Sequence, residues 1–238
     1  MKNIAIIFAG GTGQRMNTKA KPKQFLELHG KPILVYTLEQ FQKSEDIDGI
    51  ILVILKDWLD YSKDLTYEYH LTKVASIVPG GKTGQESIYN GLIEAERLYG
   101  QDVIVLIHDG VRPIIDSETI KKNIECVKEH GTSITVTPSI ETVAMDAVDG
   151  KVGKIVDRSK CLMARAPQSF YLKDILGAHR KSISEEQSFI DSASMMLHYG
   201  YDLYTVLGPI KNIKITTPDD YYVFRALVDA KENDQLLS

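Results

Sequence analysis

Five short apolar runs punctuate the chain, each almost free of polar residues: IAIIFA (4–9), IILVIL (50–55), VIVLI (103–107), ITVT (134–137) and LYTVL (203–207). A strand with one face in water alternates apolar and polar residues; a strand covered on both faces reads as a continuous run. The runs therefore predict a mostly parallel sheet held between two other layers. Helical patterns lie between them. PILVYTLEQFQK (32–43) places Pro32 in a first turn, and the stretch 87–100 is ended by Gly100. In 116–131, Ile120, Ile124 and Val127 share a face, Asp116 or Ser117 can cap the start, and Gly131 can end it. The stretch 216–232 offers a threonine cap, Pro218 in the first turn and two acids that suit the helix dipole. Alternating β and α elements predict a three-layer α/β/α, Rossmann-like fold.

One stretch departs from the alternation. ETVAMDAVDGKVGKIVDRSK (141–160) reads as a β-hairpin turning at Asp149-Gly150. The expected organisation is a single domain over 1–238, with a protruding β-arm over 138–160. An exposed hairpin of this kind tends to pair with something.

Composition narrows the function classes. The 238 residues carry a net charge of −4, which argues against a general nucleic-acid binder. No apolar run approaches the ~20 residues that a membrane helix requires, so no membrane insertion is expected. IAIIFAG runs into glycines instead of a cleavage site, so no signal peptide is expected and a cytoplasmic location is. Cys126 and Cys161 stand in no CxxC pattern and are read as buried free thiols, not as a disulfide or a zinc site.

The first run ends in AGGTGQRMNTKAKPKQF (9–25), with Gly10, Gly11 and Gly13 followed by Arg15, Lys19, Lys21 and Lys23. Glycines at the end of a strand let the backbone approach a ligand, and consecutive N–H groups can then face phosphate oxygens. The GxGxxG dinucleotide pattern fails because position 16 is Met16, and GxxxxGK[ST] does not occur. What remains is a glycine loop with Arg15, suited to a forked phosphate contact, and Lys23, a point charge. The alternative is a tight turn followed by a solvated basic face.

AGGTGQRM and PKQF resemble the motifs of the CTP-dependent cytidylyltransferases that act on methylerythritol phosphate and on alditol phosphates such as ribitol 5-phosphate. The resemblance runs along essentially the whole chain. It implies that Ala9, Gly10, Gly11 and Gly13 cradle the CTP phosphates, while Arg15 and Lys23 hold the α-phosphate and stabilise the transition state. GGKTGQES (80–87) is similar to the base-recognition loop, which carries nucleotide-binding roles to Gly80, Gly81 and Ser87. Where the family has an arginine in that loop, this chain has Gly84. HDGVRP (108–113) resembles a family motif whose aspartate and arginine lie at the active site, which makes Asp109 and Arg112 candidates there, Asp109 also as the candidate Mg²⁺ contact. Thr142 and Arg158 match arm residues that, in the family, cross a homodimer and bind substrate phosphate. Lys214, in NIKITTPDD, matches a further phosphate contact. Asp191 matches an aspartate before a helix and reads equally as a cap. Ala166 replaces a threonine in APQSF, and Glu141-Thr142 replaces Asp-Thr.

The resemblance implies transfer of CMP from CTP to a polyol phosphate, with pyrophosphate released and Mg²⁺ as cofactor. Lys211 stands before NIK where the methylerythritol branch has Asp. The loop AGGTG and the stretch PKQFLELHGKPILVYTLEQF look more like the alditol branch, which serves cell-wall or capsule synthesis. The methylerythritol phosphate enzyme of isoprenoid synthesis is the alternative. A dehydrogenase would need an acid ~20 residues beyond the loop, and Glu27 comes too early. A non-catalytic nucleotide sensor would bind CTP without turnover, with Gly84 and Ala166 as its support.

Overall fold

The computed structural model describes residues 1–10, 21–146 and 148–237. The chain runs through β1 (Lys2–Ala9), the short pair β2 (Glu27–Leu28) and β3 (Lys31–Pro32), then α1 (Ile33–Lys43) and β4 (Gly49–Ile54). Next come α2 (Leu59–Glu68), β5 (Val74–Pro79), α3 (Gly84–Tyr99), β6 (Val103–Asp109), α4 (Ser117–His130) and β7 (Thr132–Pro138). The hairpin β8 (Val143–Asp146) and β9 (Val152–Val156) leads to β10 (Leu162–Tyr171). The chain closes with α5 (Leu172–Ser184), α6 (Ser192–His198), β11 (Thr205–Leu207) and α7 (Pro218–Leu237).

Among the described residues, seven strands form one sheet in the order β11-β7-β10-β6-β1-β4-β5. β1 pairs parallel with β4 and β6, β4 with β5, and β7 with β11, whereas β10 runs antiparallel to β6 and β7. The mostly parallel sheet expected from the apolar runs is thus present. Successive residues of each run serve opposite faces. Ile4, Ile6, Ile51 and Val53 pack with Leu92 of α3 and Ile175 of α5, while Ala5, Ile7, Ile50 and Leu52 pack with Leu38 and Phe41 of α1 and Ile124 of α4. Burying each of the larger of these side chains contributes roughly 1.5–3 kcal/mol, so both layers are needed and neither face tolerates a charge.

The topology also fixes where a ligand can bind. From β1 the chain moves to β4 and β5 on one side, then returns to β6 on the other. The connections therefore diverge between β1 and β6, and a crevice opens there beyond the carboxyl ends of the strands. Ala9 and Asp109 end those two strands.

Local signals explain the helix ends. Asp116 accepts from Thr119 N to cap α4, and Gly131 closes it at φ 86°. The helix expected over 87–100 begins earlier, because the cap is Thr83, whose side chain accepts from Glu86 N. Pro32 precedes α1 instead of entering its first turn, with an extended ψ of 143°. The arm hairpin turns where expected, with Asp149 and Gly150 at φ 70° and 71°. Both cysteines are free, but each is partly exposed, which corrects the expectation of buried thiols.

Candidate active site

The first wall of the crevice is built on glycine. β1 delivers Ala9 and Gly10, and β5 delivers Gly80 and Gly81. Gly80 N donates to Ile54 O at 2.7 Å, which continues the ladder one step past the strand. Ser87 lies on the first turn of α3 and is buried; its Oγ accepts from Gly81 N at 3.1 Å and donates to Thr83 O at 2.8 Å. A Cβ at Gly80 would stand 2.9 Å from that Oγ, and one at Gly10 would stand 3.1 Å from it. Gly10, Gly80, Gly81 and Ser87 therefore converge on one point, and the approach requires the missing side chains. Ser87 is not the helix cap; it fastens the glycine turn to the helix. Gly84 differs, since a Cβ there meets nothing within 4 Å.

The second wall is charged. Asp109 ends β6, and its Oδ2 accepts from Arg112 Nε at 2.8 Å while its Oδ1 lies 2.6 Å from Lys214 Nζ. Asp109 and Arg112 are both buried. Burial pushes the Asp109 carboxyl up, but Lys214 and Arg112 overcome that and hold it at about 2. The irregular segment carrying Lys214 is pinned on three sides. Ile215 N donates to Val111 O at 2.9 Å, Arg112 Nη1 to Asn212 O at 3.0 Å, and Asn212 Nδ2 to Ala166 O at 2.8 Å. His108, buried behind the wall, is pushed down to about 4 by burial, against the pull of its hydrogen bond to Arg112 O.

The PKQF segment joins the two walls. Lys23 Nζ donates to Ile215 O at 3.0 Å, beside Lys214. Gln24 is buried, and its Nε2 donates to Ala9 O at 2.7 Å, fixing the exit of β1. Sequence reasoning placed Lys23 at the site but did not assign this anchoring role to Gln24. Gly11, Gly13 and Arg15 lie outside the described residues.

Against the charged wall lies a cavity of about 580 Å³, lined in part by Asp109, Arg112, Lys214, Arg165, Gln168 and Asp191; Thr83 and Gly84, just before and at the start of α3, bring it to the edge of the glycine wall. Gln168 Nε2 donates to Asp191 Oδ2 at 2.9 Å, and Asp191 caps α6 in a capping box. Asp191 is thus both a helix cap and a wall residue. Arg165, Gln168 and His179 also line this cavity and went unassigned from sequence. His179 is 1% exposed, neither ring nitrogen has a hydrogen-bond partner among the described residues, and burial pushes it down to about 4. Its place at i+4 from Ile175 on an amphipathic helix is the signal that could have found it.

Thr142 and Arg158 do not line the cavity of their own chain. They are exposed near the base of the arm, where Arg158 Nη1 donates to Ile140 O at 3.2 Å. The arm and its root expose Ile140, Met145, Val152, Ile155, Leu162 and Met163, each between 48% and 64%.

Known proteins resemble the chain over nearly its whole length. The family described as IspD, 2-C-methyl-D-erythritol 4-phosphate cytidylyltransferase, matches residues 3–230. Ribitol-5-phosphate cytidylyltransferase of Streptococcus agalactiae serotype V is 53% identical over 237 residues, 99% of each chain. The 2-C-methyl-D-erythritol 4-phosphate cytidylyltransferase of Clostridium novyi is 40% identical over 220 residues, covering 92% of this chain and 93% of its own. The crystal structure of 4-diphosphocytidyl-2C-methyl-D-erythritol synthase from Anaerococcus prevotii superposes with a TM-score of 0.83 at 31% identity over 96% of each chain. With a family model matching residues 3–230 and a relative 53% identical over 99% of each chain, the chain belongs to the IspD family of cytidylyltransferases and is an enzyme of that class.

Proposed function

We propose that the enzyme transfers CMP from CTP to ribitol 5-phosphate, or to a closely related alditol phosphate, and releases pyrophosphate. The observation that carries this reading is the Asp109–Arg112–Lys214 cluster facing a cavity beside the glycine wall. The choice of acceptor rests on likeness: identity is 53% to a ribitol-5-phosphate enzyme against 40% to a methylerythritol phosphate enzyme. The latter activity is the second reading, favoured by the family's own description.

In the proposed reaction an acceptor phosphate oxygen attacks the α-phosphorus of CTP. A new P–O bond forms, the bond from the α-phosphorus to the oxygen bridging the β-phosphate breaks, and its electron pair leaves with pyrophosphate. A phosphate monoester is largely a dianion at neutral pH, so no protein base has to activate it. The protein's work is alignment and charge neutralisation. Gly80, Gly81 and Ser87 would hold the cytosine, and Ala9, Gly10, Gly11 and Gly13 the triphosphate. Arg15 and Lys23 would meet charge developing at the α-phosphate, while Asp109, Arg112 and Lys214 would position the acceptor. Thr142 and Arg158, exposed on the arm, would reach the neighbouring active site of a homodimer, with the apolar arm surface as its contact.

Mg²⁺ suits this donor set. Asp109 keeps unused lone pairs after its contacts to Arg112 and Lys214, and Mg²⁺ is usually held by one or two carboxylates together with substrate phosphates. Among the described residues no three His, Cys, Asp or Glu side chains gather into a metal site, so the triphosphate would be the principal ligand. When bound, the ion would offset triphosphate charge. Among the described residues no helix is long and apolar enough to cross a membrane. Use of CTP fits a cytoplasmic enzyme making an activated alditol for a cell-wall or capsule polymer.

The test is identification of the product. With CTP and ribitol 5-phosphate, mass spectrometry should detect CDP-ribitol and pyrophosphate in equal amounts. CTP binding with no nucleotide product from any alditol or methylerythritol phosphate would overturn the reading in favour of a sensor.

A further inference from the structure

Arg165 has a setting that the cytidylyl-transfer scheme above leaves unused. It lies on β10 where the strand leaves its regular ladder: pairing with β7 shifts register between Ala164 and Gln168. Irregularities of this kind re-aim side chains. Gln168 pairs with Ile107 of β6, so the shifted segment lies beside the carboxyl end of β6, where Asp109 stands. Arg165 is half-buried and lines the same cavity as Arg112 and Lys214.

Its partners do not account for its charge. Nε donates to Thr137 Oγ1 at 3.3 Å, a neutral acceptor that sets the plane of the guanidinium. No carboxylate pairs with Arg165 among the described residues. The neighbouring charge it does feel is Arg112, which repels it, and burial and that repulsion together push it down from the ordinary arginine value. The cavity's acids are already engaged. Asp109 holds Arg112 and Lys214, and Asp191 accepts from Gln168 Nε2 and from Ser194 N. Among the described residues, three cations, Arg112, Arg165 and Lys214, thus line the cavity against two committed carboxylates. Placing two arginines on one cavity wall costs free energy unless an anion joins them, and a guanidinium fork matches phosphate oxygens.

We propose that Arg165 is a specificity-determining residue that, with Arg112, grips the phosphate monoester of the acceptor. The inference deepens the alditol phosphate reading and rests on it for the identity of the acceptor. Thr137 orients the fork, and Arg112 stays tethered to Asp109. The pair selects for a dianionic group at the acceptor end of the cavity, and an unphosphorylated alditol gains nothing from it.

The test compares wild type with Arg165→Ala and Arg165→Lys, each first checked for an unchanged melting temperature. The expected result for Arg165→Ala is a rise in the KM for ribitol 5-phosphate of about tenfold or more, the scale of one charge-assisted hydrogen bond. The KM for CTP should stay within about twofold, and Arg165→Lys should recover part of the loss. An unchanged acceptor KM, or an equal rise in the KM for CTP, would overturn the proposal. A second readout does not depend on turnover: titration with inorganic phosphate, followed by calorimetry. Wild type should bind phosphate about tenfold more tightly than Arg165→Ala, and equal affinity would count against the site. If wild type turns over no alditol phosphate yet keeps this difference, the acceptor reading fails while the anion site stands. Normal turnover with equal affinities fails Arg165 alone.

Discussion

Asp109 and Lys214 meet at 2.6 Å although one ends a central strand and the other lies in an irregular segment near the end of the chain. The contact joins the HDGVRP and NIKITTPDD motifs on one wall, together with the Ile215–Val111 and Arg112–Asn212 hydrogen bonds. The two partners are not equivalent. The Asp109 side chain is 10% exposed and that of Lys214 is 41% exposed. Asp109→Asn would leave Arg112 buried without a carboxylate, a change that typically costs about 3–5 kcal/mol. Lys214→Ala should cost little stability, because solvent screens the pair on its side, but should sharply raise the acceptor KM. Denaturant unfolding and steady-state kinetics on the two variants separate these outcomes.

Lys23→Ala and Arg15→Ala should each lower turnover by more than ~10²-fold, the usual scale for losing one transition-state charge contact. The fold should survive in both. Near-wild-type kcat in either variant removes that residue from the α-phosphate.

Gly80→Ala would drive a methyl group against Ser87 Oγ, 2.9 Å from where the Cβ must lie. The variant should weaken CTP binding by about tenfold and lose stability on the order of 1–3 kcal/mol. Ser87→Ala removes the clashing oxygen but also the tie to Gly81. The double variant should therefore be less impaired than the sum of the singles, a coupling that a double-mutant cycle measures. Gly84→Ala, with open space around it, should be stable and serves as the control.

His108 and His179 are each pushed to about 4 by burial, from an ordinary value of 6.5. Between those values the unfolded chain binds more protons than the folded one, so stability rises with pH across the window. On acidification it should fall from about pH 6.5 and level off for these groups near pH 4. At about 1.4 kcal/mol per unit, the loss is on the order of a few kcal/mol for each histidine. Denaturation midpoints taken from pH 7 to 4 check this, and His179→Gln should flatten part of the slope.

Sequence pattern revealed the interior strands and missed others for physical reasons. β1, β4 and β6 are buried along nearly their whole length, so they read as continuous runs. β5 sits at the sheet edge, nowhere fully buried, and its short run VASIVP is interrupted by Ser76 and closed by Pro79. β10 carries Arg165 and Pro167 through its middle, residues that argue against a strand until the register shift accommodates them. α5 was legible in principle from Leu172, Ile175 and Leu176, whereas α2 buries only Ser62 and Leu65 and leaves little periodic trace. At the site, motif residues converged where glycine or charge dictated geometry. Gln24 and Gln168 escaped notice because their roles are hydrogen bonds to distant backbone and side chains, which no local spacing encodes.

The arm predicts assembly. Its exposed apolar side chains should be covered in a homodimer, so sedimentation at micromolar concentration should give twice the 26.7 kDa chain mass. Arg158→Ala should then lower activity although Arg158 lies outside its own cavity. A fully active monomer would contradict the cross-subunit role of Thr142 and Arg158.

The most direct test of the account is pyrophosphate release with Mg²⁺, crossing CTP, UTP, ATP and GTP with ribitol 5-phosphate, other alditol phosphates and methylerythritol phosphate. Release is expected with CTP and an alditol phosphate, at a kcat/KM well above that for methylerythritol phosphate. Preference for methylerythritol phosphate, or for a nucleotide other than CTP, would contradict it.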